Sequence, residues 1–384
     1  MQRWLIMTAI FSLLATSAAA QIGKSVSVAA GTDEDKALTE IYNTPDGPAK
    51  IALLDKFMAD FGKGDLELLA DQLYVQAYLT QKNYAKVYEY GEKALKLDPD
   101  NFSTVVNMLH AADEQGDAQK MSSLGEKAGG ILTRYKASTM PEGADAGQWS
   151  AQKKQNLTDA QPDIEYVERT LFNLAYNTKD ATARAGLYAR YAAAFPDSPY
   201  TMLAREQTAF AYQQAQNTAK MVETAQSILT TDPNNVAMLV MLADYWSDSG
   251  QKLDDAAADA QKALDQLANA KKPDNLTDEQ WQHQVSIQKG IAYSSLGQVY
   301  VNKKQNEKAV DAFKQASPLL KSDNFTYARN LYRLGFTLGN LQRFPEAKSA
   351  LTECISLNTP YKARAQETLD KIGGATKKAP RKSS

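Results

Sequence analysis

The sequence predicts an all-α protein built as a tandem array of antiparallel helix pairs. Three observations carry this. Ala, Leu and Tyr recur at helical spacing along most of the chain, and strand-like alternation is scarce. Pro and Gly fall between the periodic stretches rather than inside them. The pattern also returns in register. Tyr78 and Ala112, Ala94 and Ala128, and Tyr212 and Trp246 each lie 34 residues apart. Leu296, Gly297, Asn306, Ala309, Phe313 and Ala316 return 38 residues later as Leu334, Gly335, Phe344, Ala347, Leu351 and Cys354. That is one period plus four residues, best placed in Ser317–Asn324.

In chain order, residues 1–20 have the layout of a cleavable export signal. Arg3 precedes the apolar run Trp4–Leu14, and Ala18-Ala19-Ala20 offers small residues before a cut at Gln21. The run is too short for a spanning helix, which needs about 20 apolar residues. No transmembrane segment is expected in the mature chain. The layout resembles a bacterial export signal, so a periplasmic or extracellular location is expected. Residues 21–32 read as a flexible N-terminus and 33–135 as a first helical block. Residues 136–162, rich in Gly, Asp, Ser and Gln, read as a linker. Residues 163–371 form a second helical block. Within it, Thr277-Asp278-Glu279-Gln280 has the spacing of a capping box that opens a long helix. Residues 372–384 form a basic, polar tail expected to be disordered.

Residue types narrow the function. The chain has 384 residues, 43 Lys+Arg against 45 Asp+Glu, two His and one Cys. Near-neutral charge does not favour nucleic acid as a partner. One Cys excludes an intrachain disulfide framework. No phosphate-binding loop, dinucleotide fingerprint, zinc-protease helix or nucleophile elbow is present, so no cofactor, metal or catalytic residue is assigned. His110 and His283 read as helix-face residues and Cys354 as a small buried apolar group. Asn101, Asn156, Asn275 and Asn324 begin N-x-[ST] triplets that matter only in a glycosylating host.

The repeating residues resemble the tetratricopeptide repeat (TPR) family. Tyr293, Leu296, Gly297, Tyr300, Ala309, Phe313 and Ala316 match its pattern most fully, and Leu331, Leu334, Gly335, Phe344, Ala347 and Leu351 repeat it. Four further copies span Leu68–Asn101, Phe102–Tyr135, Met202–Asn235 and Val236–Leu267, and two degenerate pairs span Asp33–Phe61 and Ile164–Phe195. The resemblance implies a right-handed superhelical solenoid with a concave groove for a protein or peptide. It also places Arg329, Tyr332, Arg333 and Phe336 on the groove face. Some relatives hold a peptide carboxylate with a basic pair at the positions of Arg329 and Arg333. Their upstream partners are not matched here: Ser295, Val240 and Asp244 occupy those positions. The expectation is an exported scaffold, not an enzyme, that binds proteins or peptides and serves envelope assembly or maintenance. The alternatives are a hydrolase acting on envelope polymers and a structural subunit that packs by its outer face. Composition and pattern leave the oligomeric state open.

Overall fold

The structure, a computed structural model, describes residues 22–378, with side chains to Gly373. The export signal at 1–20 and the end of the tail, 379–384, lie outside the described residues. Within them the chain is helical throughout, without strands. It divides into two compact units at Ala211/Tyr212.

The N-terminal unit contains α1 (Asp33–Asn43), α2 (Pro48–Phe61), α3 (Asp65–Thr80), α4 (Tyr84–Leu97), α5 (Phe102–Gln115), α6 (Ala118–Ala137), α7 (Ala146–Asp159), α8 (Gln161–Asn177) and α9 (Ala181–Ala194). It also contains most of α10 (Thr201–Gln214). Most helices pack on a neighbour in sequence, α6 also meets α8 and α9, and first helices such as α3 and α5 meet one another. Two sequence expectations are revised in this unit. The segment 136–162 holds α7 rather than an extended linker. Lys153 Nζ donates to the carbonyls of Lys136 and Ser138, at 2.8 and 2.9 Å, and Asn156 donates to the Tyr135 hydroxyl at 2.9 Å. These bonds satisfy the free carbonyls at the end of α6 and tie α7 back onto it. The boundary between compact units therefore falls later, inside α10. The N-terminal segment expected to be flexible is not loose either over its described residues, 22–32. Ile22 is buried, its carbonyl accepts from the Phe102 N–H at 3.1 Å, and the Lys24 N–H donates to Asp98 at 2.8 Å. An apolar anchor and two backbone bonds at the α4–α5 corner hold it there.

The C-terminal unit contains α11 (Thr218–Thr231), α12 (Val236–Ser249), α13 (Leu253–Asn269), α14 (Asp278–Asn302), α15 (Asn306–Leu320), α16 (Asn324–Asn340), α17 (Phe344–Ser356) and α18 (Lys362–Lys378). First helices α12, α14 and α16 lie side by side, and second helices α13, α15 and α17 pack against them. Small residues set the spacing. A Cβ on Gly297 would stand 2.5 Å from the Phe313 ring, and one on Gly335 would stand 2.6 Å from Leu351. Ala309 and Ala347 are fully buried at the matching point of the second helix. Only such residues let the paired helices approach this closely. The capping box closes as expected: the Gln280 N–H donates to Thr277 Oγ1 at 3.2 Å, and the Thr277 N–H to Gln280 Oε1 at 3.0 Å. Part of the expected disordered tail is ordered, since α18 continues through Lys378 and buries Ile372.

Asp-Pro corners join successive repeats in both units. Asn101 and Asn235 each cap the following helix through their side-chain oxygens, and their amides donate to Asp98 and Asp232. Proline ends the preceding helix, and Asn starts the next.

Candidate functional site: a charge network on three first helices

The four residues singled out in the sequence lie together on α16, but the two arginines turn inward. Arg329 and Arg333 are one turn apart, and both reach across α14 to α12. Arg329 Nη1 donates to Asp244 Oδ2 at 2.8 Å. Arg333 Nη2 donates to Asp248 Oδ1. Weaker cross-pairs close the square: Arg329 to Asp248 at 3.7 Å and Arg333 to Asp244 at 3.8 Å. The span is possible because α14 presents serines at the crossing. Ser294 Oγ accepts from Arg333 at 2.9 Å, and Ser295 Oγ donates to Asp244 at 3.3 Å. A longer residue at either serine would occupy the path of the guanidinium groups.

Burial decides what this network can do. The side chains of Arg329, Arg333 and Asp244 are 12%, 6% and 14% exposed, whereas Asp248 is 47% exposed. Desolvation, with the neighbouring Arg329 charge, pulls the Arg333 pKa down from its ordinary value, while Asp248 and Asp244 oppose it. For Arg329 desolvation acts the same way, but the two aspartates outweigh it and raise the pKa. Both groups stay charged, because a guanidinium does not deprotonate in proteins. Arg329 Nε is buried without an acceptor. A partner's carboxylate would therefore have to displace Asp244 or Asp248 to reach either arginine.

Of the predicted aromatic pair, Phe336 is open and Tyr332 is partly buried, and Phe325 lies open on the same helix. Phe336 is 42% and Phe325 50% exposed. Four rings run in series: Phe325 to Tyr361 at 5.6 Å between centroids, Tyr361 to Tyr332 at 6.0 Å, and Tyr332 to Phe336 at 6.3 Å. Sequence reasoning missed Asp248, Phe325 and Tyr361. The signal for Asp248 was present. Asp244 and Asp248 stand four apart, as do Arg329 and Arg333, and each acid lies 85 residues before its arginine.

Other residues weighed for chemistry have structural surroundings. His110 is half-buried and stacks on Tyr166 at 3.8 Å, and burial lowers its pKa. Cys354 is buried, donates to the Ala328 carbonyl at 3.2 Å, and its thiol is pushed up to about 11. His283 is exposed. Among the described residues no cluster of His, Cys, Asp and Glu could hold a metal ion, and no helix is long and apolar enough to cross a membrane.

A tetratricopeptide repeat family model matches residues 291–317 and 328–360. The first lies within α14–α15, and the second runs from within α16 through α17, where the register is best kept. No curated protein sequence matches the chain. Among solved structures, the chain is similar to one described as an APC/C hetero-tetramer of Cut9 and Hcn1. The identity is 14% and the TM-score 0.44, over 89% of this chain and 64% of that one. It is also similar to the TPR domain of P58(IPK), at 12% identity and TM-score 0.33, over 91% of this chain and all of that one. The two matched stretches, with small residues at their helix crossings, are tetratricopeptide repeats.

Proposed function

We propose that this protein is an exported, non-enzymatic scaffold that binds a protein partner through the first-helix face of its C-terminal unit. Tetratricopeptide repeats commonly mediate protein–protein contacts, and the proposal gives that general role a location and a surface. The observation that carries it is the series Phe325, Tyr361, Tyr332 and Phe336, two of whose rings are large exposed apolar groups. Aromatic side chains supply large contact area at low entropic cost and dominate binding hot spots. The arginines beneath them act as a rigid base rather than as a clamp, since both already hold carboxylates. Export rests on the layout of residues 1–20, and a role in the cell envelope follows from export.

The test is affinity capture from the envelope fraction of the native host, followed by calorimetry with the captured partner. Phe336→Ala combined with Tyr332→Ala should weaken binding at least tenfold with helicity unchanged. Equal affinity would place the binding surface elsewhere. Mass spectrometry of the exported chain should find Gln21 at its N-terminus, and an intact Met1 in a membrane fraction would overturn export.

A further inference from the structure

The N-terminal unit contains a cleft that neither the repeat pattern nor the charge network explains. It runs along α8 from Gln161 to Asn173, about 18 Å of helix, and encloses about 750 Å³. That volume is typical of a small-molecule site. Its apolar walls include Leu157, Ile164, Phe172, Phe195, Tyr200 and Leu203. Tyr200 and Leu203 are 54% and 41% exposed, so the first turn of α10 leaves a large apolar lip open to water. The turn Phe195–Tyr200 holds that lip. Ser198 Oγ donates to Glu168 at 2.7 Å and lies 2.9 Å from the Tyr191 hydroxyl, and Thr201 Oγ1 donates to the Phe195 carbonyl.

At the Gln161 end the cleft continues into a second hollow of about 470 Å³, and the two share Lys136, Leu157 and Gln161. This end is basic, with Lys153 and Lys154 beside Lys136. The carboxylates of the cleft are all engaged. Asp197 pairs with Lys136 at 3.1 Å, Glu165 accepts from Gln161 at 2.9 Å, and Glu168 accepts from Ser198. Burial also raises the Glu168 pKa. Lys136, Lys153, Lys154 and Arg169 stand against Asp197, Glu165 and Glu168, four cations to three carboxylates, so the lining is positive by one charge. An aliphatic chain laid along these apolar walls brings no polar group that needs a partner there.

We infer that this cleft binds a single-chain anionic amphiphile, with the aliphatic chain along α8 and the acidic head at the Lys136–Lys154 end. Each methylene transferred from water strengthens binding up to about fourfold. The head group gains from cations at the mouth, and that gain falls with salt.

The test is calorimetry on the exported chain with monomeric ligands below their micelle concentrations. Palmitate should bind one to one and at least tenfold tighter than laurate. Neutral dodecyl maltoside should bind at least tenfold more weakly than laurate. Leu203→Glu, at an exposed position, should abolish palmitate binding, and Lys154→Glu should weaken it at least fivefold, with circular dichroism unchanged in both. A parallel titration with 1-palmitoyl-lysophosphatidylglycerol separates the head groups. Tighter palmitate identifies a free fatty acid, tighter lysolipid a phosphate head, and either supports the site. The proposal is overturned by no uptake of either amphiphile, by uptake indifferent to both substitutions, or by association only with phosphatidylglycerol vesicles.

Discussion

Asp71 in the N-terminal unit and Asp244 in the C-terminal unit are both largely buried carboxylates on the first helix of a repeat, and their surroundings are opposite. Asp71 on α3 is fully buried, and neither of its oxygens accepts a hydrogen bond. Burial raises its pKa to about 6, against the pull of Lys93, while Glu67 and Glu89 push the same way as burial. Asp244 on α12 accepts from Ser295 and holds Arg329 at 2.8 Å. A buried acid can shed its charge by taking a proton or keep it by taking a partner. The first solution makes local stability depend on pH. The second fixes geometry, because it ties α12, α14 and α16 into one register.

The largest expected effect comes from removing one side of the pairing. Asp244→Ala leaves Arg329 buried without its nearest carboxylate and should cost about 3–5 kcal/mol. Trp246, two residues away on the same helix and buried, reports the loss in a urea titration. Replacing the four charged residues together by Leu and Met should cost far less, because no unpaired charge remains. A single variant within 1 kcal/mol of wild type would mean that the network adds no register to the unit.

Asp71 should behave in the opposite sense. Its folded pKa lies above its ordinary value of 3.8, so the folded state holds its proton more tightly than the unfolded one. The favourable term is fully present below pH 4 and is lost as pH rises through about 6. A shift from 3.8 to about 6 corresponds to at most about 3 kcal/mol. Asp71→Asn should therefore stabilise the protein by about 1–3 kcal/mol at pH 8 and by about a third as much at pH 4.5. Urea midpoints followed by circular dichroism at the two pH values check this. A variant equally displaced at both would assign the effect to packing rather than charge.

This contrast marks what the sequence could and could not reveal. The array was legible because its determinants are local and recur: Gly297 and Gly335 at one crossing, Asn101 and Asn235 at one corner. The α7 helix was not, because its composition is polar and Gly-containing. What holds it is a set of long-range bonds from Lys153 and Asn156 back to α6. The site was half legible. Spacing put Arg329, Tyr332, Arg333 and Phe336 on one helix, but which groups the arginines meet depends on two neighbouring helices. Ser295 reads as a departure from a clamp, and the small size of Ser294 and Ser295 is what lets the arginines reach α12. Asp71 had no sequence signal, since an acid in an amphipathic pattern reads as solvent-facing.

The smallest expected effect lies in the turns between the helices of each pair, which share one backbone conformation in both units. The residue before the second helix's N-cap takes a left-handed conformation at Lys82 (φ 57°) and Gly116 (φ 67°) in the N-terminal unit. It does so again at Lys304 (φ 59°) and Gln342 (φ 60°) in the C-terminal unit. A side chain there costs roughly 1–2 kcal/mol of backbone strain. Glycine removes the strain but loses about 0.5–1 kcal/mol through the freedom of its unfolded chain. Lys304→Gly and Gln342→Gly should therefore range from neutral to about 1 kcal/mol stabilising. Gly116→Lys should destabilise by about 1 kcal/mol, since nothing stands within 4 Å of a Cβ placed there and strain alone acts. Thermal melts of the three variants test the register itself. If Gly116→Lys cost nothing while Lys304→Gly gained, the two turns would not be equivalent, and the repeat would hold in sequence but not in backbone.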